Sequence, residues 1–290
     1  MTIVKLIALP TNGALTDTGN ACATANAACE AGDLIALGDL SELVYTPLLN
    51  SNAQDTFTFQ VYDGEALSST ATFTFTISAA NDVPTWSTSA ANVAVNEDTA
   101  VTITSSTIAD VDDSSLDSMI ITSTQGGTFS LASISGLTFA NGGGDGTSDN
   151  SMTFGGTVAN INTAIATITW TSATDDDDDA VLSLTANDGD GNSVTDTVAI
   201  TVNSVNDVPT WSTSAADVAV NEDTAVTITS STIADVDDTT LTSMIITSTQ
   251  GGTFSLASVS GLTFAGGGGD GTADNSMTFG GTVANINTAI

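Results

Sequence analysis

Residues 81–113 read NDVPTWSTSAANVAVNEDTAVTITSSTIADVDD, and residues 206–238 repeat that string with one change at an offset of 125 residues. Over the 85 positions that can be compared, 81–165 against 206–290, seven differ. Near-identity over such a period marks a recent tandem duplication, and a unit of this size can enclose a core of its own. The second copy reaches Ile290, the equivalent of Ile165, before the segment that in the first copy runs from ATITWTSAT to VNSVNDVP. Residues 55–84 (DTFTFQVYDGEALSSTATFTFTISAANDVP) parallel that closing segment without the NEDT and DVDD elements. The expected organisation is the closing part of a repeat at 1–80, a complete repeat at 81–205 and a truncated repeat at 206–290, a piece of a longer array.

Within the units the apolar pattern alternates. Thr56 to Tyr62, Thr70 to Ile77, Ala100 to Thr104, Val181 to Ala186 and Thr195 to Val202 show the period of two of half-buried strands, and Thr and Val dominate them. Turn signals at Asn12-Gly13, Asp63-Gly64, Asn141-Gly142 and Asp188-Gly189 fall between such runs. One stretch, Val158 to Ile168, has helical spacing instead. The fold class expected is all-β: immunoglobulin-like or cadherin-like β-sandwiches joined end to end. Trp86 and Trp211, two residues after the linker prolines, are expected to plug sandwich ends, the alternative being surface contacts. The glycine-rich stretches at 142–146 and 266–271 are read as flexible loops.

The charge balance removes whole classes of function. The chain holds 34 acids, 29 Asp and 5 Glu, against one cation, Lys5, for a net charge of -33 and a pI near 4.1. Without basic side chains there is no clamp for phosphates, so neither nucleic acid nor anionic lipid is an expected partner. Histidine is absent, which removes the commonest general base. A hydrophobic fraction of 41% still supports a folded core. No apolar run nears the roughly 20 residues of a membrane span, so direct membrane insertion is not expected. The N-terminal segment is too short and is interrupted by Lys5 for an export signal, which is expected elsewhere. Cys22 and Cys29 suit either one local disulfide in an oxidising compartment or a pair of free thiols.

The acids fall in clusters. In the full repeat they are the linker Asn81-Asp82, then Glu97-Asp98, then Asp110, Asp112 and Asp113, then the run Asp175 to Asp179, then Asp188, Asp190 and Asn192. Copies stand at Asn206-Asp207, Glu222, and Asp235, Asp237 and Asp238. A strand of six to nine residues spans roughly 20 to 30 Å, so clusters that bracket one strand lie at opposite poles. The upstream linker is expected to meet Asp110, Asp112, Asp188 and Asp190. The downstream linker, Asn206-Asp207, is expected to meet Glu97, Asp98 and the Asp run. Carboxylates facing each other across a junction repel unless a cation lies between them, and calcium, with six to eight oxygen ligands, is the economical choice. The competing reading is a solvated acidic coat, and for the 188–192 loop an acidic hairpin turn.

The run NEDTAVTI…ADVDD…TANDGDG…VTDTVAITV…VNDVP resembles the cadherin-like tandem repeats of giant bacterial surface and secreted proteins, relatives of the VCBS-type and RTX-adhesin repeats. Residues 1–80 share the resemblance more weakly through YTP, DTFTF, DG and NDVP. The resemblance implies junctional calcium held by Glu97, Asp110, Asp112, Asp188, Asn206 and Asp207. This chain departs from cadherins in carrying five consecutive Asp and no Arg before the penultimate strand, and a shorter NDVP linker. The function expected is structural: an extender of an exported adhesin at the cell surface, without catalysis, its partners being neighbouring repeats and other cell-surface molecules. The alternative is a ligand- or carbohydrate-binding module of a secreted enzyme.

Overall fold

The computed structural model describes residues 3–19, 22, 28–212, 217–229 and 232–290. In the first unit β1 (Ile3–Ala8), β2 (Gly13–Asp17), β3 (Leu34–Ala36), β4 (Leu43–Pro47), β5 (Asp55–Tyr62) and β6 (Ala71–Phe75) form a sheet ordered β3-β1-β5-β6 and a second sheet, β2-β4. Alternation along β1 turns Val4 and Leu6 inward, onto Leu15, Ile35 and the two cysteines. Those cysteines form a disulfide, Cys22–Cys29. Asp55, 3% exposed, accepts hydrogen bonds from the Thr11, Asn12 and Thr56 amides and from the Tyr45 hydroxyl. Burial alone would raise its pKa; those donors outweigh it and hold the carboxyl below its ordinary value.

The middle unit runs β7 (Thr85–Trp86), β8 (Val93–Asn96), β9 (Val101–Ile103), β10 (Ile108–Ala109), β11 (Ser115–Ser123), β12 (Thr128–Leu131), β13 (Leu137–Phe139), β14 (Ser151–Thr157), α1 (Val158–Ile165), β15 (Ile168–Thr171), β16 (Ala180–Asn187) and β17 (Ser193–Asn203). Six strands form one sheet, β13-β14-β11-β16-β17-β8, and three form the opposing sheet, β12-β15-β9. Between them lie Met119, Ile121, Phe129, Phe154, Trp170 and Leu184, all buried. In β16 every second residue, Ala180, Leu182, Leu184 and Ala186, is buried, as half-buried strands require. The last strand, β17, pairs antiparallel with β16 and parallel with β8, Ile200 opposite Val93 and Asn203 opposite Asn96.

The helical spacing at 158–168 corresponds to α1 only as far as Ile165. Thr157 caps it by accepting from the Asn160 amide. Ile168 instead starts β15, opposite Ile103 and Leu131, so sheet pairing ends the helix early. On α1 the Asn162 side chain accepts from the Ile108 amide and donates to its carbonyl, both at 2.8 Å, acting as a strand partner for β10. The glycine stretches are built turns rather than loose loops. Asp149 Oδ2 accepts from the Asp145 and Gly146 amides, and a Cβ at Gly144, where φ is +82°, would stand 2.7 Å from that carboxylate.

The third unit contains β18 (Thr210–Trp211), β19 (Ile233–Ala234), β20 (Thr240–Thr247), β21 (Leu262–Phe264), β22 (Ser276–Thr282) and α2 (Val283–Ala289). It reproduces the β11-β14-β13 arrangement as β20-β22-β21, down to the same register shift. Residues 217–229, whose copies in the middle unit include β8 and β9, form no strand. Val95 is 8% exposed and its copy Val220 is 53%; Ile103 is 0% exposed and Ile228 is 47%. The partners of β8 and β9 are β17 and β15, and residues 206–290 include no second copy of either. Trp211 likewise departs from expectation: Trp86 packs on the middle core, where β7 touches β17, while Trp211 is 49% exposed.

This difference sets opposite expectations for one substitution made twice. Ile103→Ala, emptying a closed core site, should cost about 2–5 kcal/mol of middle-unit stability, whereas Ile228→Ala should change stability by less than about 0.5 kcal/mol. Chemical denaturation of the two variants, followed by Trp fluorescence, checks the contrast.

Candidate metal centre

The parallel pairing of β8 with β17 determines which acids meet. Both strands run toward the downstream linker, so Glu97, the residue after β8, arrives beside residues 203–205. Its amide donates to the Asn203 carbonyl at 3.0 Å, and its Oε1 accepts from the Val205 amide at 2.6 Å. Glu97 is 4% exposed, and its carboxylate lies with those of Asp207 and Asp237 so that one oxygen from each falls within 4.8 Å of the others. A second trio under the same limit joins Asp98, Asp175 and Asp207. Asp207, on the linker, belongs to both. Its amide donates to Asp237 of the following unit, while its buried Oδ2 has no hydrogen-bond partner.

Local backbone conformation supplies the remaining positions. Asp98 and Asp175 have φ of +53° and +55°, a left-handed conformation that Asp tolerates better than most residues. The Asp98 amide donates to the Ser172 hydroxyl at 3.0 Å, and the Asp175 amide to Asp98 Oδ1 at 3.3 Å, which holds the two turns together. Asp235 Oδ1 accepts from the Asp237 and Asp238 amides, shaping the turn that presents Asp237. Asn206, Asp207, Asp235 and Asp238 line one cleft together with Trp211.

At the upstream junction the linker meets the other acids. Asn81 Nδ2 donates to Asp188 Oδ2 at 2.8 Å, and the Asp82 amide to Asp112 Oδ2 at 2.6 Å. Asp110 Oδ1 accepts from the Asp112 and Asp113 amides, and its buried Oδ2 is unpartnered. Asp188 Oδ1 accepts from the Asp190 and Asn192 amides across a turn with positive φ at Gly189 and Gly191. Burial pushes the Asp188 pKa up, but hydrogen bonds from Asn81, Asp190 and Asn192 outweigh it, and the net direction is down. Asp113 moves the opposite way, raised by burial and then by the charges of Asp110, Asp190, Asp112 and Asp188.

Two residues distinguish this arrangement from the one read in the sequence. Asp175 alone of the five-Asp run reaches the linker, while Asp179 accepts from the Val202 amide and Asp176 from the Asp178 amide. Composition could not separate the five; the turn that makes φ positive at Asp175 does. Glu222, the copy of Glu97, is exposed and joins no acidic trio among the described residues. Its environment would require a strand copying β17, which residues 206–290 do not include.

The donor set is one of hard oxygens from both units, with an orphaned buried oxygen at its centre, and such a set suits calcium over a soft, thiophilic ion. The carboxylates destabilise one another without a cation. Asp207 has its pKa raised by burial first, then by Asp175, Asp237, Asp98 and Asp235.

Residues 4–76 match the Big_9 family, described as Bacterial Ig domain. No curated protein sequence matches the chain. Similar solved structures include mouse cadherin-23 EC22-24, at 16% identity over 97% of this chain and 75% of that one, with a TM-score of 0.38. Mouse clustered protocadherin PcdhgC3 EC1-3 gives 14% identity over 93% and 77%, with a TM-score of 0.33. Domains 4 and 5 of the S-layer protein SbsC give 13% over 66% and 71%, at 0.25. At such scores the superpositions carry no argument, and the fold stands on the strand pairing and on the family match. The chain is an all-β protein of Ig-like repeats. Among the described residues no helix is long and apolar enough to cross a membrane.

The raised Asp207 pKa fixes a sign. Between the ordinary Asp value near 4 and the raised folded value, the folded state binds more protons than the unfolded state, so stability falls as pH rises through that window. In chelator-treated buffer, Asp207→Asn should therefore raise the melting temperature at pH 7 and flatten its pH dependence above about pH 4. Calorimetry of both proteins in that buffer tests this.

Proposed function

We propose that the chain is an extender segment of an exported bacterial adhesive protein, its 81–205 and 206–290 units joined by calcium at the downstream junction. The observation that carries this reading is the pair of carboxylate trios sharing Asp207, because Glu97, Asp98 and Asp175 come from one unit and Asp237 from the next. A cation there offsets the repulsion among them and resists any bend that separates the poles. The disulfide is in keeping with an oxidising, extracellular or cell-surface setting. Neighbouring repeats of the same chain are the immediate partners, and other cell-surface molecules the distal ones.

In this reading Asp207 bridges, Glu97 braces the linker through the Val205 amide, and Asp98, Asp175 and Asp237 supply further oxygens. Asp110, Asp112, Asp113, Asp188 and Asp190 serve the upstream junction with Asn81 and Asp82. That junction is the weaker calcium site, since among the described residues no acidic trio forms there. Near-identical repeats whose acids gather mostly toward two poles support a spacer, and no step of chemistry is assigned to the chain.

Extracellular modules bind calcium with dissociation constants of about 10⁻⁴ to 10⁻³ M, and calcium at 100 times that constant adds roughly 2.7 kcal/mol. Millimolar calcium at constant ionic strength should raise the melting temperature of the parent chain. Asp235→Asn combined with Asp237→Asn should remove most of that gain while leaving the response to molar sodium chloride intact, since screening needs no site. An equal calcium response in parent and double variant contradicts the proposal and leaves the acids as a solvated coat.

A further inference from the structure

The first unit holds a cluster that the junction chemistry does not use. Asp17, Cys22 and Cys29 are 1%, 1% and 4% exposed, and one carboxylate oxygen and the two sulfurs lie within 4.8 Å of one another. Asp17 Oδ2 accepts from the Cys22 amide at 2.6 Å, but Oδ1 is buried with no hydrogen-bond partner. A buried carboxylate oxygen left unpaired is costly, and the sulfurs of a disulfide carry no proton to donate to it. The sequence gives no reason for an acid at this place: β2 alternates, and Asp17 occupies an inward position of its pattern, two residues after buried Leu15.

We propose that Asp17, Cys22 and Cys29 form a redox-gated site for a soft divalent ion of the zinc type. Contacts besides the S–S bond also hold the ligands. Cys29 donates its amide to the Leu15 carbonyl at 2.9 Å, Ala28 bridges to Thr16, and Cys22 is held by Asp17 Oδ2. A dithiol reductant supplies two electrons and two protons, breaking the S–S bond into two thiols while closing to its own disulfide. The divalent ion then displaces both thiol protons to solvent and forms two bonds to sulfur and one to Asp17 Oδ1. Two thiolates and a carboxylate with water in the fourth position make an acceptable zinc shell, whereas the oxygen-rich junction suits calcium. In oxidising surroundings the disulfide keeps the site closed.

The test titrates the full chain with Co²⁺ as a spectroscopic stand-in for zinc, in millimolar calcium so that hard-oxygen sites are occupied. The reduced chain should show a sulfur-to-cobalt charge-transfer band that saturates at a single equivalent and is bleached by Zn²⁺; the oxidised chain should show none. Asp17→Asn should weaken cobalt affinity by at least about tenfold, as loss of even outer-shell partners does at metal sites, and Cys22→Ser should abolish the band. No band in the reduced chain overturns the proposal, and so does a band of unchanged affinity in Asp17→Asn. Near-UV circular dichroism covers the case in which reduction unfolds the unit. Refolding on addition of Zn²⁺ supports the site, and a unit that stays unfolded with Zn²⁺ contradicts it.

Discussion

The parallel pairing of β8 with β17 is the contact on which the rest of the arrangement depends. Every other strand pair in the six-stranded sheet is antiparallel, so it sends neighbouring strand ends to opposite poles. Only β8 and β17 end together, Asn96 beside Asn203, and in doing so they bring Glu97 to a linker more than a hundred residues further along the chain. From that one register follow the brace on Val205, the approach of Asp98 to Asp175 and the convergence on Asp207. The electrostatic consequence is a set of mutually repelling carboxylates at the seam between two units. Under the proposed function, a cation at this seam stiffens it and relieves that repulsion.

The duplication offers an internal control that few single chains provide. Residues 93–103 and 218–228 are identical, yet the first segment contains two strands with a buried Ile103 and the second contains none. Local propensity is equal by construction, so the difference measures what strand partners contribute. β9 exists because β15 is beside it, and β8 because β17 is. By contrast β11, β13 and β14 recur intact as β20, β21 and β22, because their partners lie within the duplicated segment.

Much of the fold was legible in the sequence where a pattern was local. The period-two runs became β5, β6, β16 and β17, and the acids separated into two poles as strand length dictates. Legibility failed where the answer depended on distant partners or on backbone handedness. Nothing in five consecutive Asp singles out Asp175, and residues 206–238 differ from 81–113 only in Asp217 for Asn92, so the contrasts of Glu222 with Glu97 and of Trp211 with Trp86 rest chiefly on strand partners far along the chain. The order of the glycine stretch was hidden for a related reason: it depends on Asp149, which lies outside the Gly-rich string and ties it down through two amides.

Terbium luminescence reads the central claim most directly, because Trp211 lines the same cleft as Asn206, Asp207 and Asp235. Terbium occupies hard-oxygen calcium sites and is sensitised by a nearby indole. The account requires emission on Trp excitation that calcium competes away, that Trp211→Phe largely abolishes and that Trp86→Phe leaves mostly intact. Emission that survives Trp211→Phe unchanged, or that fails to respond to Asp207→Asn, would place any bound ion away from this seam and contradict the shared junction.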